Sequence, residues 1–397
     1  MAEVHIIRHR PGAVFCGTCE VVQIDDDSKV TRLVEPSGNV GTQYPNEVGS
    51  EWLGTIENLS AGLTLGKAHW SEVYKTDVLW TTPSASRDEC DVRKNDFNAV
   101  YGPMLQAVTG GPLRSNRMAR FTHPEGFPDP AALFEVQIKA AAGDVEIGGG
   151  RLDFGSWIDH QPSGASVMHR KDGKAITTLG PDVAEEMTFV LEEQYARPFA
   201  EAGVDFRTQT VWMEILVAVD DAPDQTWSRI EVVRQVFEDY FGDHRPAGLI
   251  YPVSRIPNLD GVVEPQPRVV SGDGVETIRS GRLEHGFSTW TAIRHGGITE
   301  VMVSAVGGDD AGEILDAVDT RVKEAGGAGL KADGVFNNAY IGAGADSRAN
   351  RDSLAAFNPA FTQWYEGTVP AGRTAQYVGG VQQSTFAYGV SNRSIFA

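Results

Sequence analysis

Cysteine is scarce in this chain: Cys16, Cys19 and Cys90 among 397 residues. So few exclude a disulfide framework, which small secreted folds assemble from several bridges. Cys16-Gly17-Thr18-Cys19 has redox-motif spacing, but its flanks, Ala13-Val14-Phe15 and Glu20-Val21-Val22, read as a strand. A thioredoxin-type pair instead opens a helix, where the dipole lowers the thiol pKa. No second cysteine pair completes a zinc set, and the nine histidines are scattered, so neither a metal nor a cofactor is expected. Positive charge is short as well. Against 54 Asp and Glu stand 34 Lys and Arg, and the formal charge of -20 repels nucleic-acid phosphates and anionic membranes. No uninterrupted apolar run of about 18 residues occurs, and no basic leader opens the chain, so a cytoplasmic protein is expected. Low-complexity stretches and long charge runs are missing too.

What the chain does contain is one pattern stated three times. The first statement is Val73-Tyr74-Lys75-Thr76-Asp77-Val78, then Asp96-Phe97-Asn98-Ala99-Val100-Tyr101, then Gly111-Pro112-Leu113-Arg114. A weaker one runs from Thr210-Val211-Trp212-Met213-Glu214-Ile215 through Val233-Arg234-Gln235-Val236-Phe237 to Arg245-Pro246-Ala247-Gly248-Leu249. The last runs from Val335-Phe336-Asn337-Asn338-Ala339-Tyr340 through Ala356-Phe357-Asn358-Pro359-Ala360-Phe361 to Pro370-Ala371-Gly372-Arg373. A period of about one third of the chain predicts a triplicated domain, and the length suits it. Gly148-Gly149-Gly150 and Pro265-Gln266-Pro267 punctuate the chain, placing the repeats at 1–148, 149–265 and 266–397.

Within each copy the expected order is two strands, a helix, a strand, a short helix and a final strand. In the third copy Trp290–Ile293 and Val301–Ser304 are β-type runs separated by Gly296-Gly297. Ile314, Leu315, Val318 and Val322 then form a helical stripe that Gly326-Gly327 stops. Equivalent helices are expected from Trp52 to Leu63 and from Val183 to Phe199. A helix leading directly into a strand predicts an α/β or α+β fold, with helices packed on one face of each sheet.

The motifs resemble the RidA (YjgF-type) family of reactive-intermediate deaminases. Ser37-Gly38-Asn39-Val40-Gly41 is similar to that family's Ser-Gly-Gln-Ile-Gly loop, Asn98-Ala99-Val100-Tyr101 to its Asn-x-x-Tyr, Pro112-Leu113-Arg114 to its Pro-Ala-Arg, and Phe134-Glu135-Val136 to its final strand. The resemblance covers most of copies one and three and is faint in copy two. It implies chorismate-mutase-like, sheet-plus-helix repeats arranged as a pseudo-trimer, a monomer of three copies in place of the family's homotrimer, with weaker dimerisation left open. It also implies clefts between copies in which an Arg holds a carboxylate, a Glu handles water, and a Ser-Gly loop and an Asn line the pocket. Carried over, Arg114, Glu135 and Ser37 become catalytic candidates, and Arg114, Gly38, Asn98, Asn358, Arg373 and Ser304 substrate-binding ones. Copy two has Leu249 at the Arg position, Arg234 at the Asn position and Glu264 near the Glu position, while copy three has no acid after Arg373. The full set therefore falls around Arg114 and Glu135.

A guanidinium grips a carboxylate through two charge-assisted hydrogen bonds, and a Glu can shuttle protons between water and a departing amine. The expected activity is hydrolysis of a small carboxylate-bearing imine or enamine, a deaminase reaction. A ring-directed hydrolase, a chorismate-type lyase and a binding protein without turnover remain alternatives, whereas a ribonuclease fits the charge least. Three-repeat ring amidases use Ser and Lys from every repeat, and Lys75 aligns with Met213 and Asn337, which disfavours that version. An Arg and a Glu on neighbouring strands also serve as structural ion pairs, and the asparagines and serines as caps and turns.

Overall fold

The computed structural model describes residues 1–11, 16–41, 43, 47–81, 86–109, 116–121, 127, 132–145, 156–160, 167–171, 182–201, 203–219, 223–256, 261–281, 283–342, 347–378 and 386–397. Three sheets carry one strand order. In the first repeat β1 (Glu3–Pro11), β2 (Cys16–Ile24) and β3 (Val30–Pro36) lead into helix α1 (Val48–Leu65) and β4 (Val73–Trp80). Helix α2 (Arg87–Thr109) then connects to β5 (Asn116–Phe121), and β6 (Phe134–Gly143) returns to the middle, giving the order β1-β2-β3-β6-β4-β5.

The second repeat has β7 (Ser156–His160) and β8 (Val167–Lys171), then α3 (Val183–Phe189), which continues through a π-helical turn (Val190–Ala196) into α4 (Arg197–Glu201). Next come α5 (Phe206–Gln209), β9 (Thr210–Ala218), α6 (Thr226–Phe241), β10 (Ala247–Val253) and β11 (Val263–Ser271), in the order β7-β8-β11-β9-β10. The third has β12 (Glu276–Arg279), a hairpin of β13 (Leu283–Glu284) and β14 (Phe287–Ser288), β15 (Trp290–His295) and β16 (Ile298–Gly308). It continues with α7 (Ala311–Glu324), α8 (Leu330–Asp333), β17 (Gly334–Gly342), α9 (Ser347–Trp364), β18 (Gly372–Val378) and β19 (Tyr388–Phe396). Its order, β12-β15-β16-β19-β17-β18, repeats that of the first sheet, and the second sheet matches it apart from the first edge strand among the described residues.

Helices cover one face of each sheet. α1 buries Trp52, Ile56, Leu59 and Leu63, at helical spacing, against Val34, Phe97 and Phe134. The expected stripe of α7 is buried as well, its first turn is capped by Asp310 through a 2.9 Å bond from the Glu313 amide, and the chain leaves it through Gly326 at φ 101. Neighbouring repeats cover the other face. Cys19, Leu33, Tyr74 and Ala141 pack on Val335, Phe336 and Ile395, joining repeats one and three. Val211, Leu216, Leu249 and Tyr251 pack on Met302, Ala305 and Tyr340, joining two and three. Covered on both faces, β4 and β9 are buried at every position, so their sequences carry no alternation of polar and apolar residues.

A buried ion network ties all three repeats together. Arg393 of β19 donates to Glu35 of β3 and, at 2.6 Å, to Glu300 of β16; Arg268 of β11 reaches Glu300 at 2.8 Å, and Lys139 of β6 lies 3.3 Å from Glu35. Burial alone would raise the Glu35 carboxyl, but Arg393, Lys139 and Arg268 together hold it at about 2.

Strand register fixes which residues are equivalent. Each central strand carries one bulged residue where its pairing slips: Tyr74 against β6, Val211 against β11 and Val335 against β19. Lys75, Trp212 and Phe336 therefore correspond, opposite Lys139, Arg268 and Arg393. This corrects the sequence alignment of Lys75 with Met213 and Asn337 by one residue; the equivalence is set by the bulge that directly precedes Lys75, Trp212 and Phe336, which the sequence does not mark. The boundary at 265 is corrected too. β11 spans Val263–Ser271 and belongs wholly to the second sheet. Its prolines are tolerated because, among the described residues, β8 pairs with it from Arg268 onward, and the carbonyl of Pro265 accepts the Tyr195 hydroxyl. The helix expected to be short is long in every copy, as α2, α6 and α9 show. Cys16 and Cys19 lie on β2 as expected, with Cys19 buried.

Candidate active site at the junction of repeats one and three

β18 is the outer strand of the third sheet, so the Arg373 amide has no strand to bond on its open side. Ser37, just after β3 of the first repeat, supplies the partner: its Oγ accepts that amide at 3.2 Å. Thr374, the next residue, faces the opposite way, and its hydroxyl donates to Glu135 Oε1 of β6. Gly38 makes room for this carboxylate, since a Cβ there would lie 2.0 Å from Glu135 Oε1 and 2.9 Å from Thr374 Oγ1. The loop and strand of repeat one thus enclose Glu135 against the edge of repeat three.

The Arg373 guanidinium lies over Phe361 at 5.0 Å and Phe357 at 5.6 Å, both on α9. Burial lowers its pKa to about 10, and the Glu135 charge partly opposes the shift, so Arg373 is a cation at neutral pH. A buried guanidinium on an aromatic shelf, with a carboxylate in its electrostatic reach, suits a small anionic ligand and a proton transfer beside it.

Glu135 and Arg373 come from different repeats. The absence of an acid after Arg373 does not strand it, because repeat one brings Glu135 to it. Arg114 lies outside the described residues. By register the counterpart of Arg373 is Arg117: Arg117 pairs with Thr76 across β4 and β5 as Arg373 pairs with Asn337 across β17 and β18. In repeat two the same position is Gly248, opposite Met213, and not Leu249. Glu264, opposite Leu216, corresponds to Glu135, opposite Leu79, and in repeat three that position is Gly389.

The junction of repeats two and three shows what the cleft becomes without its charges. Ser304 repeats the edge bond of Ser37: its Oγ accepts the Gly248 amide of β10, the outer strand of the second sheet, at 2.8 Å. It also donates to the Ser288 carbonyl at 2.5 Å, which commits the hydroxyl to backbone. Phe287 fills the space in front of Gly248, 2.8 Å from where a Cβ would stand, and packs on Phe237 with ring centroids 4.4 Å apart. Ser304 therefore docks repeats two and three, and its hydroxyl is committed to the backbone on both sides.

Asn98 is exposed on α2. Asn358 is half-buried on α9 beside Phe357, and its Oδ1 is enclosed without a partner among the described residues. Thr374 and the Phe357/Phe361 shelf are the parts that sequence reasoning misses. The two phenylalanines were legible as an i, i+4 helical pair, but Thr374 has no sequence signal, because its partner sits 239 residues away.

No protein-family model matches the sequence, and no curated protein matches it. Among solved structures a chorismatase aligns with a TM-score of 0.46 over 82% of this chain and 93% of its own, at 12% identity. A cyanuric acid hydrolase from A. caulinodans aligns at 0.42 over 92% of this chain and 98% of its own, at 8% identity. A member of the YjgF protein family from Neisseria meningitidis aligns at 0.24 with 31% of this chain and 96% of its own, at 14% identity. At these identities and TM-scores the likenesses carry no activity to this chain.

Proposed function

We propose that the chain is a pseudo-trimer of RidA-like repeats and hydrolyses a small carboxylate-bearing imine at the junction of repeats one and three. The observation that carries this reading is that Arg373 and Glu135, from separate repeats, lie within electrostatic reach of each other at a buried junction, with Phe357 and Phe361 beneath the guanidinium. Arg373 anchors the substrate carboxylate. Glu135 takes a proton from water as its oxygen adds to the C=N carbon and passes that proton to the nitrogen, giving a carbinolamine. Glu135 then takes the proton of the carbinolamine hydroxyl and delivers it to the nitrogen as the C–N bond breaks, leaving a carbonyl and ammonia, so the carboxylate ends as it began. Thr374 orients Glu135 through its hydroxyl, and Ser37 fixes the Arg373 backbone. Proton transfer by one positioned carboxylate contributes about 10²- to 10⁴-fold, enough for an imine that already hydrolyses readily.

The test is ammonia release from 2-imino acids generated in place by an amino-acid oxidase, comparing wild type with Glu135→Gln and Arg373→Ala. Acceleration by the wild type that both variants lose supports the reading; no acceleration by the wild type overturns it. A binding protein without turnover is the second reading, favoured by the loss of both charged positions, to Gly248 and Gly389, at the junction of repeats two and three. It predicts saturable binding of 2-oxo acids that Arg373→Ala removes, with no ammonia release above background.

A further inference from the structure

Where the three sheets converge, a cavity of about 50 Å³ is lined by equivalent positions of all three repeats: Lys75, Trp212 and Phe336 on the central strands, and Lys139, Arg268 and Arg393 opposite them. It is separate from the Arg373 cleft, and none of Ser37, Glu135, Arg373 or Thr374 lines it. The acids on its wall are engaged: Asp77 pairs with Lys75 at 2.6 Å, and Glu214 accepts the Tyr251 hydroxyl at 2.6 Å. Lys139, Arg268 and Arg393 share the carboxylates of Glu35 and Glu300.

The donors on this wall are not all used. Gln137 Nε2 from repeat one, Arg268 Nε from repeat two and Arg393 Nη2 from repeat three are enclosed and have no hydrogen-bond partner among the described residues. Each of these side chains is more than nine-tenths buried. A buried donor left unmade costs about 1–3 kcal/mol, more when charged, so three at one cavity call for an acceptor-rich occupant. The space exceeds the roughly 10–15 Å³ that one water needs. Trp212, Phe336 and Met302 add apolar surface, and Asn338, Ser391 and Asn392 complete the wall.

We infer that this cavity is a binding site for a small trigonal oxyanion, such as bicarbonate, nitrate or formate, held by one N–H donor from each repeat. Occupied, it couples the three repeats through a single ligand. The site stands independently of imine hydrolysis at the junction of repeats one and three.

Isothermal titration of the full chain with sodium bicarbonate, sodium nitrate and sodium formate, in a chloride background, tests the inference and separates the three sources. At least one should bind at one per chain and raise the unfolding temperature. Gln137→Leu should weaken that binding about 10- to 100-fold, as expected for one hydrogen bond to a charged group, and Gln137→Glu, isosteric but repelling an anion, should abolish it. Arg373→Ala should leave it unchanged. Absence of binding and of any anion-dependent shift in wild-type unfolding overturns the site without touching the cleft. Wild-type affinity in both Gln137 variants overturns it as well. Loss of the signal in Arg373→Ala reassigns the anion to the cleft.

Discussion

Arg373, Glu135 and Gly38 differ in what their loss should do. Arg373→Ala removes the carboxylate anchor, and the expected change is a rise in KM of about 10- to 100-fold, measured on 2-imino acids of increasing length. Glu135→Gln keeps size and most hydrogen bonding but cannot take a proton, so kcat should fall about 10²- to 10⁴-fold with KM little moved. Gly38→Ala forces a methyl into the place of the Glu135 carboxylate, 2.0 Å from Oε1. A displacement of this kind predicts a kcat loss of about 10²-fold at an almost unchanged unfolding temperature, and wild-type turnover in this variant would remove Gly38 from the site. Arg373 also sets a pH limit. Its folded pKa is lowered to about 10 by burial, so the charged form that grips a carboxylate is full at neutral pH and is lost as pH rises through 10. Binding of 2-oxo acids should follow that titration. The sequence marked Arg373, Glu135, Ser37 and Gly38 as chemistry-bearing, but it matched Glu135 to an arginine of its own repeat. Residues 239 positions apart cannot be paired from spacing, and Thr374 shows it.

At the scale of elements, outer strands make the junctions. β18 and β10 each expose one amide that a serine of the next repeat accepts, Ser37 in one case and Ser304 in the other. The shared device explains why both serines recur in the sequence pattern although only Ser37 stands beside the charged cleft. Phe287, carried on the β13–β14 hairpin, replaces the charges at the second junction. Phe287→Ala should cost about 3–5 kcal/mol in chemical denaturation, as a buried aromatic packed on Phe237 does, while leaving ammonia release unaltered. Helices α1 and α7 were readable from apolar spacing because one face meets a sheet and the other meets solvent. β4, β9 and β17 were readable as strands but not in register, since burial on both faces erases alternation and each bulge shifts the count by one.

Across the whole molecule, Glu35, Arg393, Glu300 and Arg268 bridge the repeats inside the core. Glu35 has its folded pKa lowered from 4.5 to about 2, so its contribution to stability is present above 4.5 and is lost as pH falls toward 2. Glu35→Gln leaves Arg393 short of one buried carboxylate and should destabilise the chain by about 3–5 kcal/mol near neutrality, a difference that shrinks in acid-unfolding curves below pH 4. The sequence by itself determined the triplication, the helix-then-strand order within each copy, and the residue types able to hold a carboxylate and move a proton. Those signals are local, written in periodicity and in short motifs. Only the tertiary structure decided that β11 belongs to the second sheet, that Arg373 lies within electrostatic reach of Glu135 of another repeat, and that donors from all three repeats meet at one cavity. Each of these depends on which sheet edge meets which neighbour, a choice made by burial of both sheet faces and by strand register, and neither is recorded in the spacing of residues along one chain.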